Sequence, residues 1–242
     1  MGDGYSHYPN RVIINEHSDK EIIDYVCKYF ESIPGGETCV YKEDINDKTT
    51  IYYKSGFPKG KNPIINQYKK YNLVKNKHIP KEVFESSLEY RLKVLAGIVD
   101  TDGYVKSKNA IGGMSFEIEM SRKYLIDEIT LLARSCGFRC KLSERTRGRG
   151  YFDGHFVNSQ TGYIVTIKGD VDRIPTLVRR KQVSMKRILE PTITKLDVEP
   201  AGIGEYIGIT LEYTGKKTDN LFFLKDFTIV HNCGSNPTMR TS

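Results

Sequence analysis

The stretch that most restricts the fold is residues 80–105, "PKEVFESSLEYRLKVLAGIVDTDGYV". After a short first helix, apolar residues recur at helical spacing from Leu88. The run must stop at Asp102-Gly103, because Asp-Gly favours a turn and glycine propagates a helix poorly. The same Asp-Gly-Tyr opens the chain in "MGDGYSHYP". Each copy precedes a strand–helix–strand pattern of roughly 90 residues, a period that predicts two related halves and not a solenoid. After the second copy, "MSFEIEM" (114–120) and "TGYIVTIKG" (161–169) alternate as strands. Between them "SRKYLIDEITLLARSCGF" (121–138) predicts a helix ended by Gly137, and "IPTLVRRKQVSMKRIL" (174–189) predicts another. Upstream, "RVIIN" (11–15) and "TTIYY" (49–53) predict strands. "SDKEIIDYVCKYFESI" (18–33) predicts an amphipathic helix capped by Ser18 or Asp19 and broken at Gly35-Gly36. From residue 88 the order is helix, strand, strand, helix, strand, strand, helix. The order from residue 1 is similar without its opening helix. A pseudo-two-fold arrangement of this kind suits a substrate with its own approximate dyad, such as duplex DNA.

Charge points the same way. The net charge is +7, and it is concentrated. Lys48 to Lys81 holds nine lysines and no acid, interleaved with Tyr52, Tyr53, Phe57, Tyr68 and Tyr71. A second acid-free block, Arg173 to Leu189, carries Arg173, Arg179, Arg180, Lys181, Lys186 and Arg187. A third, "KLSERTRGRG" (141–150), has four bases against one acid. Any one block could be a solvated surface; three favour a polyanion, because Lys and Arg gain by displacing counterions from phosphates. Lys69, Lys70, Lys75, Arg145, Arg147, Arg149, Arg179 and Arg180 are the expected DNA contacts. No stretch approaches the ~20 apolar residues of a membrane span, so no membrane partner is expected. Five cysteines without CxxC spacing favour reduced thiols in an intracellular protein over a zinc site.

On the helix from Leu88, the small residues Ala96 and Gly97 allow close approach of a second helix. Two such helices would bring Asp3 and Asp102 together. Paired acids are costly unless a cation lies between them, and hard oxygen ligands imply Mg²⁺, which can activate water and stabilise a leaving oxygen. The plainer reading of Asp102 is a turn former before Gly103. Residues 95–105, "LAGIVDTDGYV", closely resemble the LAGLIDADG family of homing endonucleases, matching at Leu95, Ala96, Gly97, Asp100, Asp102 and Gly103. The flanks "KHIP" (77–80) and "LLARSCGF" (131–138) resemble those of intein-borne members, with the vacuolar ATPase inteins nearest in style. The resemblance implies an α+β fold of duplicated αββαββα halves, the first one truncated, that cleaves double-stranded DNA with Mg²⁺. It makes Asp102 and Asp3 the metal ligands. Lys77 and Lys181 would support the chemistry, with Arg180 a neighbouring candidate.

Near the C-terminus, "GEYIGITLEYTG" (204–215) and "LFFLKDFTIV" (221–230) read as partner strands ahead of His231-Asn232-Cys233. An Asn side-chain amide can attack its own main-chain carbonyl, cutting the chain as a succinimide forms, and a neighbouring His can supply the proton. A following Cys can act as a nucleophile. On its own the tripeptide is also compatible with an ordinary loop. "YIGITL…DNLFFLKDFTIVHNC" resembles the C-terminal splicing block of inteins, a Hint-type domain. By that resemblance Asn232 cyclises, His231 assists, and Cys233 begins the C-extein and accepts the N-extein. The family commonly has a His where Asn220 stands, twelve residues before Asn232. The resemblance divides the chain into 1–87 (first repeat), 88–192 (second repeat), 193–232 (splicing segment) and 233–242 (extein). Met1 falls where the first motif's helix should be ending, so the expected partners are the N-terminal intein region, from the same gene or a separate half, and a host protein. The other reading is a DNA-binding module without cleavage, or a free-standing homing endonuclease or maturase.

Overall fold

The computed structural model describes residues 10–15, 19–43, 48–106, 114–148, 150–152, 155–157, 160–183, 199–200, 202–204, 221–225 and 227–231. Asp3, Arg149, Asn220, Asn232, Cys233 and the "GEYIGITLEYTG" strand beyond Gly204 lie outside them. The chain divides into two compact units, Met1–Thr192 and Ile193–Ser242.

The first unit begins with a three-stranded antiparallel sheet in the order β1–β3–β2, from Arg11–Asn15, Lys48–Ser55 and Gly36–Glu43. Ile14, Ile51 and Tyr53 on one face meet Ile22 and Phe30 of α1 (Lys20–Glu31) and Ile64 of α2 (Pro63–Lys70). Asn62 caps α2 by accepting from the amides of Ile64 and Ile65 at 3.0 and 3.2 Å, with Pro63 preset for the first helical position. Asp19 occupies the N-cap position of α1 but makes no capping bond; its carboxylate is used elsewhere.

The second core is built on a four-stranded antiparallel sheet, β4–β5–β9–β6. Its strands are Gly103–Lys106, Ser115–Met120, Gln160–Lys168 and Arg139–Arg147. A short hairpin of β7 (Gly150–Phe152) and β8 (His155–Val157) interrupts the sequence between β6 and β9. After the four-residue α3 (Lys81–Phe84), α4 (Leu88–Asp102) starts on Ser87, whose hydroxyl accepts from the Tyr90 amide. α4 and α5 (Lys123–Ser135) cover one face of the sheet. Leu95, Val99, Phe116, Ile118, Ile129, Leu132, Val165 and Ile167 form the centre of this core. Ala96 turns into it at 4% exposure, so of the two small residues only Gly97 lies on the exposed side of α4.

Two sequence expectations fail. Over residues 174–183 there is no α-helix; the chain runs as a strap with single 3₁₀ turns at Val171–Arg173 and Arg179–Lys181. Pro175 forces Ile174 toward extended backbone (ψ 112°), and the amides of Leu177 and Val178 bond to a side chain in place of a helical turn. In the second unit, 221–230 is not one strand. It is a hairpin of β10 (Leu221–Phe223) and β11 (Ile229–His231), turned by Leu224–Thr228 bonds and Phe227 at φ +66°. Among the described residues no helix is long and apolar enough to cross a membrane.

Candidate metal and nucleic-acid site

α4 passes into β4 without a loop. The Gly103 amide donates to the Val99 carbonyl, and a Cβ on Gly103 would lie 2.6 Å from that oxygen, so only glycine fits. Asp102 is therefore the last helical residue and exposed, while Asp100, two residues earlier, is buried at 3% exposure. The strap meets this end of the helix. The Asp100 carboxylate accepts from the amides of Leu177 (2.8 Å) and Val178 (3.1 Å). Burial pushes its carboxyl up, opposed by those two amides and by Lys181. The Lys181 side chain is buried, and its ammonium donates to the carbonyls of Asp100 (2.6 Å), Val99 (2.9 Å) and Thr101 (3.5 Å). Burial, then the Arg180 guanidinium, push its pKa down, against Asp19, Asp100 and Asp102. Buried charges of this kind persist only when paired and hydrogen-bonded. Arg180 itself donates to Asp19 at 2.5 Å, which is where the missing cap of α1 is used.

The predicted residues thus separate into groups. Asp102 and Lys181 share the C-terminal end of α4 although 79 positions apart. Lys77 belongs to a segment fixed to α5, where Tyr124 donates to the Lys77 carbonyl (3.0 Å) and the Ile79 amide to Glu128 (2.8 Å). Arg179 lies beside Glu21 of α1, with its side chain 89% exposed. Lys69 and Lys70 occupy the last turn of α2, where cations suit the helix dipole. Lys75 is exposed at φ +57°. His231, in the other unit, pairs across its hairpin with Leu221.

The sheet sets Lys141 and Arg145 of the third basic block among residues that the blocks did not reveal. Directly opposed residues in an antiparallel ladder share a face. The register therefore puts Tyr104, Lys106, Glu117, Glu119, Arg139, Lys141, Arg145 and Lys168 on the face turned away from α4 and α5. Glu117 pairs with Lys106 (2.8 Å) and with Arg145 (3.6 Å), and Glu119 with Arg145 (3.1 Å). Glu119 crosses β9 to do so, and its carboxylate fills the space that a Cβ on Gly162 would take. The first sheet carries Arg11, Lys48 and Lys54 on its uncovered face, with Tyr41 stacked on Tyr52 (centroids 5.5 Å, 10° apart). The period-2 spacing within each strand is the signal that could have gathered these cations in advance.

A Mg²⁺ ion usually takes one or two carboxylates and completes its shell with water and substrate phosphate. The exposed Asp102 carboxylate fits that use, whereas the carbonyls of residues 99–101 are occupied by Lys181. Among the described residues no three His, Cys, Asp or Glu side chains gather to cage a metal.

Residues 78–183 match the family model described as homing endonuclease. An iron–sulfur cluster assembly SufBD family protein of Mycobacterium leprae is 32% identical over 46% of this chain and 13% of its own length. The catalytic subunit of the V-type proton ATPase of Candida tropicalis is 25% identical over 65% of this chain and 14% of its own. The homothallic switching endonuclease of Saccharomyces cerevisiae is 28% identical over 59% and 23%. The chain thus spans less than a quarter of the length of these curated relatives. Solved structures of the homing endonuclease I-DmoI, one in complex with its target DNA in the presence of Mg, align over 68% of this chain and about three quarters of theirs (75% and 76%), at 12–13% identity and TM-score 0.36. Residues 78–183 are a homing endonuclease domain.

Proposed function

We propose that this chain is the C-terminal part of an intein whose endonuclease domain cleaves double-stranded DNA, with Asp102 as a Mg²⁺ ligand. The observation that carries the reading is the end of α4: an exposed carboxylate on a turn held by Asp100 and Lys181, two residues from the basic face of the sheet. Bound Mg²⁺ would lower the pKa of a water and stabilise the leaving oxygen. Asp102 and, from the first half, Asp3 would hold the metal between them. Lys106, Lys141, Arg145 and Arg139 would meet phosphates and base edges, with Glu117 and Glu119 fixing the direction of Arg145. Lys69, Lys70 and Lys75 would extend the contact through phosphates. Nicking of supercoiled plasmid by the chain completed with its upstream region should require Mg²⁺ and drop by at least about 100-fold in Asp102→Asn. Equal cutting by both proteins would overturn the role of Asp102, and tight DNA binding without nicking by wild type would leave only a binding module.

The splicing half of the proposal draws on two supports. The similar proteins share no activity in their names, as expected of a domain carried as an insert in unrelated hosts. In the hairpin, Leu221, which follows Asn220, lies opposite His231, which precedes Asn232. The Asn232 side-chain nitrogen would bond to its own carbonyl carbon, the peptide bond to Cys233 would break, and the freed amine would take a proton with help from His231. Cys233 would before that step have received the N-extein acyl group on its thiol. Asn220, a donor that cannot shuttle protons, would orient the amide. With the upstream intein region supplied, mass spectrometry should detect release of the segment that begins at Cys233, and Asn232→Ala should abolish it. A wild-type chain that stays intact, as the variant does, would rule splicing out.

A further inference from the structure

We infer that Lys181 positions Asp102 by clamping the last turn of α4 and takes no direct part at the reacting atoms. The inference rests on Asp102 as the metal-holding carboxylate. A helix ends with carbonyls that lack intrahelical partners, and its C-terminus carries partial negative charge. Here the carbonyls of Val99, Asp100 and Thr101 all converge on one ammonium. An ammonium has three N–H donors, and each has an acceptor within 3.5 Å, at 2% exposure of the residue. Nothing is left over for a phosphate oxygen or an attacking water. A group that transfers a proton must come within about 2.6–3.2 Å of the atom it serves or of one water between them, and this one is enclosed by main chain.

The backbone of Lys181 is equally fixed. Its amide donates to the Val178 carbonyl (2.8 Å), and its carbonyl accepts from the Thr176 hydroxyl (3.3 Å). The link runs both ways, since strap reaches helix through Lys181 and helix reaches strap through the Asp100 carboxylate. Two crossed links hold the turn from which Asp102 projects. Removing partners of this kind behind a metal ligand typically costs about 10–100-fold in metal affinity or activity, and a clamp that acts through Asp102 should show that loss at the metal.

The test compares Lys181→Met and Lys181→Gln in the full chain by hydrogen exchange and by Mg²⁺ titration of plasmid nicking. Lys181→Met should speed exchange at Asp100–Tyr104 about tenfold and leave α5 unchanged. It should raise the Mg²⁺ needed for half-maximal nicking by about 10–100-fold, while the rate at saturating Mg²⁺ stays close to wild type. Glutamine keeps two N–H donors but no charge, so it should recover part of both losses. A rate at saturating Mg²⁺ that falls about 100-fold or more in both variants, with unchanged exchange and metal requirement, would overturn the inference and put Lys181 at the reacting atoms. If the methionine variant does not fold, the glutamine variant decides on the same readouts. If wild type nicks no DNA, the cleavage reading fails by itself. The exchange measurement still decides the clamp, which unchanged exchange at Asp100–Tyr104 would refute.

Discussion

Two glycines of one motif have opposite local needs. A Cβ on Gly103 would meet the Val99 carbonyl at 2.6 Å and the Val99 Cα at 2.8 Å, both main-chain atoms that cannot swing aside. Gly97, six residues earlier on the exposed side of the same helix, has nothing among the described residues within 4 Å of its would-be Cβ. Gly103→Ala should therefore destabilise the chain by about 1–3 kcal/mol through overpacking, whereas Gly97→Ala should stabilise it by about 0.5–1 kcal/mol, as alanine does inside a helix. Urea denaturation of the two variants checks both signs, and a stabilised Gly103→Ala would show that the helix-to-strand junction can yield to a side chain. The sequence made Asp-Gly legible as a stop. It did not reveal that Ala96 faces inward and Gly97 outward, because periodicity alone leaves the phase of a mostly apolar helix ambiguous.

The strap from Val171 to Val183 explains what was hidden at the level of elements. Its residues Val171 and Ile174 enter the second core, and Val178 enters the first, a spacing that resembles a helical stripe in the sequence. The acceptor that replaces helical bonding is Asp100, 77 positions upstream of Leu177, and no local pattern can announce a partner so distant. Asp100→Asn puts an amide nitrogen where one strap N–H now finds an oxygen. Stability should fall by about 1–3 kcal/mol for the buried donor left unmatched. Limited proteolysis should then cut within 174–183 before it cuts α5, and simultaneous loss of both would argue against the strap as a separate element. α4, α5, β5 and β9 followed from their patterns, helped by boundary residues such as Ser87 before α4 or Gly137 (φ +87°) after α5, whereas the three-residue strands β7 and β8 were too short to show one. In the first half, β2 and α2 were missed. β2 is an edge strand with mixed polarity, and α2 has only eight residues on which to show a period.

For the whole molecule, the three-stranded and four-stranded sheets each cover one face with helices and carry Lys, Arg and Tyr on the other, with Glu117 and Glu119 among them on the second. If that surface binds DNA as proposed, affinity for a nonspecific duplex should fall about 10³-fold or more between 50 and 200 mM salt, as release of several counterions requires. Fluorescence anisotropy across that range measures it, and a flat salt response would remove the basic faces from the interface. The charge of the surface was legible in composition; its layout was not, because Lys106, Arg139 and Lys168 come from three separate strands. If the chain cuts DNA as proposed, the seamless passage from α4 into β4 has a last consequence. A strand advances ~3.3 Å per residue, close to the ~3.4 Å of helix axis that a duplex allots to each phosphate of one strand. With no loop to absorb slack, Tyr104 and Lys106 stand two and four residues from Asp102 along one stiff path. The sheet then works as a ruler whose zero mark is the carboxylate, so that where the protein grips fixes how far away it cuts.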